Sequence, residues 1–266
     1  MNWIFLNKKN SDEYVTALAK GAGIEPTELE TWHYESCTDP LVIRGIMKHK
    51  IIKQCWADCR PFLYMDSGYV GNRPSAQNPH GWKQWHRLVH NNLQHGTVAS
   101  RPADRWLKLG IGMPARQYGS RILLAVPDQK PCIFYGIDLN TWIADTIDTI
   151  KKYTDRPIVV RERNPNRQAR VANDLESALT DVHAVVTYNS IAATESVLAG
   201  VPAFALAPAN AAQPVANTDL TTIDQPWYPD TDQIYAWACH LAYGQFHNTE
   251  LADGTAWSII QETINA

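Results

Sequence analysis

The chain has 266 residues, of which 45% are hydrophobic and 19% charged, and its formal net charge is −3. This length suits one large domain or two small ones, and no apolar run reaches the roughly 18 residues that a membrane-spanning helix needs. The five cysteines lack CxxC spacing and the N-terminal residues resemble a strand rather than a signal peptide, so we expect reduced thiols and a cytoplasmic location.

In chain order, the first half alternates apolar β-branched runs with helical patterns. It predicts strands at 3–6, 40–46 and 61–66 and helices at 12–22 and 48–58. The region 75–119 is polar and aromatic, and we expect only a short helix there, near 103–109.

A second α/β series starts at Arg121. It predicts strands at 121–126, 157–161, 184–188 and 203–206, and helices at 139–153, 175–180, 191–198, 231–243 and 257–265. The expected fold class is therefore α/β, with two Rossmann-like domains facing across a cleft. We expect one domain at 1–118 and the other at 119–266, with the C-terminal helix a candidate to return to the first.

The segment 184–204, AVVTYNSIAATESVLAGVPAF, is the most informative part of the chain. Asn189 and Ser190 follow an apolar strand as candidate N-cap residues, and Gly200 and Pro202 end the helix that follows. A helix N-terminus at the carboxyl end of a parallel strand can bind a phosphate, and Glu195 inside that helix could bind a ribose diol. The alternative is a capped core helix with a solvated glutamate.

Charge is unevenly distributed. Residues 44–108 contain eleven basic side chains and three acidic ones. Interleaved with aromatic residues, such an excess is typical of a surface that binds a polyanion, although the charges could also separate in the fold.

Several motifs resemble those of glycosyltransferases. Asn189-Ser190, Glu195 and Ala199-Gly200-Val201-Pro202 are similar to the donor-binding element of GT-B glycosyltransferases, and to the NS…E…GxP pattern of capsular polysaccharide and glycerophosphate transferases. Most of the chain from residue 62 onward resembles short phage-encoded glycosyltransferases that act on 5-hydroxymethylpyrimidine in DNA. The segments that carry this resemblance are 66–69, 87–94, 104–106, 154–161, 241–246 and 254–257.

The resemblance implies a glycosyltransferase that moves a sugar from a nucleotide diphosphate, with UDP the expected nucleotide, to an acceptor hydroxyl. Asp66, at the end of a strand, is then the expected general base, although it could simply form the turn there. Arg161 and Arg163 end a strand of the second half and would neutralise the leaving phosphates, with surface ion pairing as the alternative. The first half would bind the acceptor and the second half the donor.

The resemblance and the basic segment together favour double-stranded DNA as the acceptor, inside the host cytoplasm if the chain is phage-encoded. Arg73, Lys83 and Arg87 would then contact backbone phosphates, and Tyr69 could fill the gap left by an extruded base. A second hypothesis is transfer to a surface polysaccharide or a lipid-linked acceptor. A third is a nucleotide-binding module without catalysis.

No HExxH or DxD motif occurs, and the histidines at 80, 86, 90 and 95 form no metal-binding spacing. We therefore expect catalysis without a divalent metal. No cofactor is expected beside the nucleotide sugar as co-substrate, and no obligate protein partner is evident.

Overall fold

The structure is a computed structural model that describes residues 2–8, 12–72, 84–113, 115–162 and 175–265. The chain separates into two compact units, one formed by Met1–Leu93 with Ala242–Ala266 and the other by Gln94–Leu241. The boundary expected between residues 118 and 119 falls inside the second unit. The segment that returns to the first unit holds a strand and two helices, where the sequence offered one helix.

The first unit consists of a mixed sheet and the helices that cover it. Its strands are β1 (Ile4–Asn7), β2 (Thr27–Glu28), β3 (Leu41–Arg44), β4 (Phe62–Ser67), β5 (Trp85–His90) and β10 (Gln245–His247). Its helices are α1 (Glu13–Ala22), α2 (His49–Ala57), α9 (Asn248–Ala252) and α10 (Thr255–Asn265).

Among the described residues, the strand order of this sheet is β10-β5-β4-β3-β1-β2. Strands β1 to β4 are mutually parallel, whereas β5 runs antiparallel to β4 and β10 antiparallel to β5. The carboxyl ends of β1, β3 and β4 therefore lie along one edge of the sheet. We call this the first-unit edge; it carries Asn7, Arg44 and Asp66.

Local chemistry explains how this unit is built. Asp12 caps α1 by accepting hydrogen bonds from the backbone N–H groups of Tyr14 and Val15, and Gly23 ends the helix in the left-handed conformation. The apolar face of α1 packs with α9 and α10 against the sheet, around Phe5, Leu63 and Phe246. The C-terminal segment is thus part of the hydrophobic core of the first unit.

The second unit contains a parallel sheet. Its strands are β6 (Arg121–Ala125), β7 (Ile158–Arg161), β8 (Val182–Thr187) and β9 (Ala203–Ala205). Its helices are α3 (Asp104–Leu109), α4 (Gln129–Tyr135), α5 (Leu139–Ile150), α6 (Leu175–Ala178), α7 (Ala192–Leu198) and α8 (Thr231–Tyr243).

In the described part of this unit the strand order is β7-β6-β8-β9, with every pairing parallel. From β6 the chain first adds β7 on one side and then crosses to add β8 on the other. Residues of α6 and α7 pack on one face of the sheet and residues of α5 on the other. Ligands of open α/β sheets bind at the carboxyl ends of the strands where the order reverses, here between β6 and β8. We call this the second-unit edge.

Most sequence-derived elements agree with the structure, but β2, α4, β10 and α9 were not expected, and neither was the strand β5. Residues 85–90 were expected to be irregular, yet they form β5, in which His86 and Leu88 are buried. Only tertiary contacts reveal this strand, because Arg87 is paired with Asp66 of β4 and the other neighbouring strand, β10, lies more than 150 residues further along the chain.

Candidate functional site

Asp66 lies near the carboxyl end of β4, directly opposite Arg87 of the antiparallel strand β5. Its Oδ2 accepts a hydrogen bond from the Tyr64 hydroxyl at 2.6 Å and lies 3.4 Å from Nη2 of Arg87. Its Oδ1 accepts the backbone N–H of Ser67 at 2.8 Å. The side chain of Asp66 is still 33% exposed, so the carboxylate combines fixed orientation with access to solvent.

The ionisation of Asp66 reflects opposing effects. Burial raises the pKa of the carboxyl, but the Arg87 guanidinium and the hydrogen bonds from Tyr64 and Ser67 outweigh it and hold the pKa below its usual range. Asp66 is therefore an ionised hydrogen-bond acceptor at neutral pH, as a general base requires.

Arg87 is directed into the first unit. Its Nε donates to the Leu93 carbonyl at 3.1 Å and its Nη1 to the Ser67 carbonyl at 2.7 Å, in addition to the ion pair with Asp66. Its side chain is 13% exposed. These contacts favour a role in orienting Asp66 over the expected contact with a nucleic-acid phosphate.

Of the other expected acceptor-binding residues, the structure describes Tyr69 but not Arg73 or Lys83. Tyr69 is 1% exposed and its backbone N–H donates to Oε1 of Gln245 at 2.7 Å, which disfavours insertion of its ring between bases. Arg73 and Lys83 lie outside the described residues. Gly68, just after β4, approaches β5 so closely that an added Cβ would lie 2.9 Å from Cβ of Trp85.

Part of the basic excess of residues 44–108 is paired inside the protein and is not offered to a polyanion. Arg44 is ion-paired to Asp12 at 2.9 Å. Arg60 is buried, and its guanidinium donates to the carbonyls of Asp39 and Tyr34. Together with Arg87, these residues account for three of the eleven cations, and all three are engaged within the protein.

In the second unit, Asn189 and Ser190 follow β8 as expected, but α7 begins later than the sequence indicated. Ile191 occupies the cap position, and Oγ of Ser190 accepts the backbone N–H of Ala192 at 3.2 Å. Asn189 is 8% exposed, and its Oδ1 is buried without a hydrogen-bond partner in the described structure. Burying an amide oxygen without a hydrogen-bond partner costs free energy. A ligand that supplies a donor group to this oxygen would remove that cost.

Gln94 fixes the position of this loop. Its Nε2 donates to the Asn189 carbonyl at 3.0 Å, and its Oε1 accepts the backbone N–H of Ala211 at 2.9 Å. The buried Gln94 thereby ties the turn after β8 to the segment after β9. No sequence signal identifies this role, because the partners lie about a hundred residues apart.

Glu195 and Arg161 lie near the same edge. Glu195 is half-buried in the first turn of α7. Arg161 ends β7 and is level with Ala125 of β6, which is in turn level with Thr187 of β8. Paired residues of neighbouring strands point to the same face, so Arg161 shares a face with Ala125 and α7 and lies two strand spacings, about 10 Å, from β8.

Two further cations of the second unit were candidates for the phosphates: Arg163, and Lys130 in the loop expected after the strand 121–126. Lys130 is exposed in α4, the helix that follows β6. Arg163 lies outside the described residues.

The sequence reasoning missed an aromatic cluster beside the second-unit edge. The ring of Tyr188 lies 5.3 Å from that of Tyr135 and 6.1 Å from that of Trp142, measured between centroids, and all three side chains are half-buried. The position of Tyr188, between a buried strand and Asn189, is the only signal that could have indicated it. Partly exposed aromatic rings at a ligand-binding edge are suited to pack against a nucleobase.

Two cavities lie at the amino ends of the strands of the second sheet, which is the edge opposite the second-unit edge. Their volumes are about 570 and 530 Å³, and both are lined by Lys151, Arg156 and Pro157 at the amino end of β7. Because parallel sheets bind ligands at their carboxyl ends, we assign the candidate site to the second-unit edge and not to these cavities.

The described residues contain no cluster of three or more His, Cys, Asp or Glu side chains that could hold a metal ion. Metal-independent catalysis stays a prediction. Within the same residues, every helix is too short or too polar to traverse a lipid bilayer.

Comparison with known proteins finds similar folds among solved structures but no match at the level of sequence. No protein-family model and no curated protein sequence matches the chain. Two solved structures, both from Thermosulfurimonas dismutans KpsC, are similar in fold. The beta Kdo 2,4 transferase has a TM-score of 0.51 at 14% identity and 90% coverage of both chains. The beta Kdo 2,7 transferase has a TM-score of 0.52 at 9% identity, covering 99% of this chain and 100% of that chain.

At these identities the similarity concerns the fold. The expected α/β class is confirmed, and the similarity to these two Kdo transferases is consistent with a GT-B-like fold.

Proposed function

We propose that this protein is a glycosyltransferase that moves a sugar from a nucleotide-activated donor to a hydroxyl group of a carbohydrate acceptor, either a polysaccharide or a lipid-linked saccharide. The observation that carries the proposal is the oriented carboxylate of Asp66 at the first-unit edge, in a chain whose fold is similar to two Kdo transferases over nearly its whole length.

The chemistry assigned to Asp66 is proton removal. As the acceptor oxygen forms its bond to the anomeric carbon, the bond from that carbon to the donor phosphate breaks and its electron pair leaves with the nucleotide. The acceptor proton moves to the carboxylate of Asp66. An ionised carboxylate that is held in place and reachable from solvent is suited to this step.

The second-unit edge is the proposed donor site. Ser190 and the unsatisfied amide of Asn189 would contact the nucleotide, Glu195 its ribose and Arg161 its phosphates. Tyr188 would pack against the base. We propose that the reaction proceeds without a divalent metal or a further cofactor, and UDP is the first nucleotide to test.

Double-stranded DNA is the second candidate acceptor. The excess of cations in residues 44–108 favours it, because such an excess attracts polyanions. The commitment of Arg44, Arg60 and Arg87 to partners inside the protein weakens it. We therefore rank the carbohydrate acceptor first.

The experiment combines a panel of nucleotide sugars, including nucleotide-activated Kdo and UDP-sugars, with three acceptor classes. These are capsular-type oligosaccharides, lipid-linked saccharides and DNA containing 5-hydroxymethylpyrimidines. Mass spectrometry of each acceptor identifies the transferred sugar. Addition to a saccharide supports the proposal, and addition to DNA alone selects the second candidate. Absence of transfer to all three, with nucleotide sugar bound, favours a non-catalytic binding module.

A further inference from the structure

The two carboxylate oxygens of Asp66 have different surroundings. A carboxylate has about four lone-pair sites, two on each oxygen. Oδ2 faces two donors, the Tyr64 hydroxyl at 2.6 Å and Nη2 of Arg87 at 3.4 Å. Oδ1 accepts one described hydrogen bond, from the backbone N–H of Ser67 at 2.8 Å. Oδ1 is therefore the oxygen that retains capacity for a further hydrogen bond.

The donors on Oδ2 are themselves held rigidly. Tyr64 is 1% exposed and precedes Asp66 by two positions on β4, so both side chains point to the same face of the sheet. Arg87 is opposite Asp66 in the register and is anchored by the carbonyls of Leu93 and Ser67. Its Cζ also lies 5.7 Å from the ring centroid of Tyr64 and 5.6 Å from that of Tyr69. The carboxylate thus has little freedom to exchange its two oxygens.

We propose that Arg87 and Tyr64 are positioning residues that hold Oδ2 of Asp66 and leave Oδ1 as the atom that accepts the proton of the acceptor hydroxyl. We call the contacts of Arg87 and Tyr64 with Oδ2 the clamp. The catalytic part of this inference rests on the proposed function, whereas the clamp can be tested without it. In this step the acceptor O–H bond breaks and its proton is transferred to Oδ1. The acceptor oxygen forms the glycosidic bond to the anomeric carbon while the bond from that carbon to the donor phosphate breaks, and its electron pair leaves with the nucleotide. Arg87 and Tyr64 exchange no atom with the substrates.

The clamp makes a prediction that a merely structural role does not. Removing the guanidinium should raise the pKa of Asp66, since a nearby opposite charge lowers a carboxyl pKa by about one to three units. Arg87→Lys keeps the charge but loses the planar pair of N–H donors, so a smaller rise is expected. Tyr64→Phe removes one donor to the carboxylate and should also produce a smaller rise.

The direct test is NMR titration of the full chain labelled at the aspartate carboxyl carbons, with Asp66→Asn used to assign the Asp66 resonance. Arg87→Met is the main variant, and Arg60→Met is the matched control. Arg60 is also buried and donates to two backbone carbonyls, but it has no carboxylate partner among the described ion pairs. We expect the pKa of Asp66 to rise in Arg87→Met and to stay at the wild-type value in Arg60→Met.

An unchanged pKa of Asp66 in folded Arg87→Met, or an equal rise in Arg60→Met, would overturn the clamp. If Arg87→Met does not fold, Arg87→Lys and Tyr64→Phe provide the same test through their smaller rises. The acid limb of kcat/KM against pH then tests the catalytic part: it should move upward together with the pKa. A raised pKa with an unmoved acid limb would reject proton transfer to Asp66, and a chain inactive with all acceptors would reject the proposed function while the titration still decides the clamp.

Discussion

The two sheet edges of this protein differ in their chemistry. At the first-unit edge, an antiparallel strand places Arg87 opposite Asp66, so that a charged pair is fixed by side-chain and backbone hydrogen bonds. At the second-unit edge all strands are parallel, and the turn after β8 offers neutral groups, with the buried amide of Asn189 left unsatisfied. The oriented carboxylate of the first-unit edge is suited to accept a proton, whereas the unsatisfied amide of the second-unit edge, with Glu195 and Arg161 nearby, is suited to bind a ligand.

The largest effect expected from this difference is on the rate. Asp66→Asn keeps the shape of the side chain but removes the base, so we expect kcat to fall about 10²- to 10⁴-fold with little change in donor affinity. Initial-rate measurements and calorimetric titration with the donor check both quantities. Asp58→Asn, an exposed aspartate after α2, is the matched control and should retain wild-type kcat. Full activity of Asp66→Asn would remove the contrast between the two edges.

The two units should also differ in how their stability depends on pH. In the second unit, burial of His240 lowers its pKa from 6.5 to about 4. Because the folded state disfavours the protonated form, the free energy of unfolding should decline as pH falls from about 6.5 towards 4, by on the order of 2 kcal/mol. In the first unit, the lowered pKa of Asp66 stabilises the fold above its unfolded value of about 3.9 and loses that effect only as pH falls through the folded value.

Urea unfolding of the wild type and of His240→Asn at pH 7 and pH 5 checks this difference. The variant should lose less stability than the wild type between these two values. An equal loss in both proteins would show that other groups control the acid response.

The binding character of the second-unit edge is tested through Glu195. If its carboxylate binds the ribose diol, Glu195→Gln should weaken donor binding about tenfold, which corresponds to roughly 1.4 kcal/mol. Asp145→Asn, an exposed position on α5, is the control. Calorimetric titration with a nucleotide sugar gives the affinity, and an unaltered Kd would argue against Glu195 as a ribose ligand.

The smallest expected effect concerns Tyr188. Replacing its ring in Tyr188→Ala should weaken donor binding by about 1 kcal/mol if the ring packs on the nucleobase, while Tyr188→Phe should preserve it. Competition with the free nucleoside monophosphate measures the change. Equal losses in Ala and Phe variants would indicate that the hydroxyl, not the ring face, is important.

Local patterns in the sequence were sufficient for most elements. The cap at Asp12, the apolar run of β8 and the exit through Gly200 and Pro202 specify their structures through short-range backbone chemistry, and the α/β class follows from their order. The expected positions of Asp66 and Arg161 at strand ends also came from such patterns, because a strand end is a local feature.

Tertiary structure decided what these residues contact. Pairing of β5 with β4 turned Arg87 from an expected phosphate ligand into the partner of Asp66, and burial withdrew the ring of Tyr69 from solvent. Gln94 gained its role only by meeting Asn189 and Ala211 in space. The sequence by itself determined the α/β class and the approximate extents of most strands and helices, since those features depend on neighbours along the chain. The tertiary structure alone decided which charges are paired and which polar groups are left unsatisfied, because pairing and burial depend on residues that are distant in sequence.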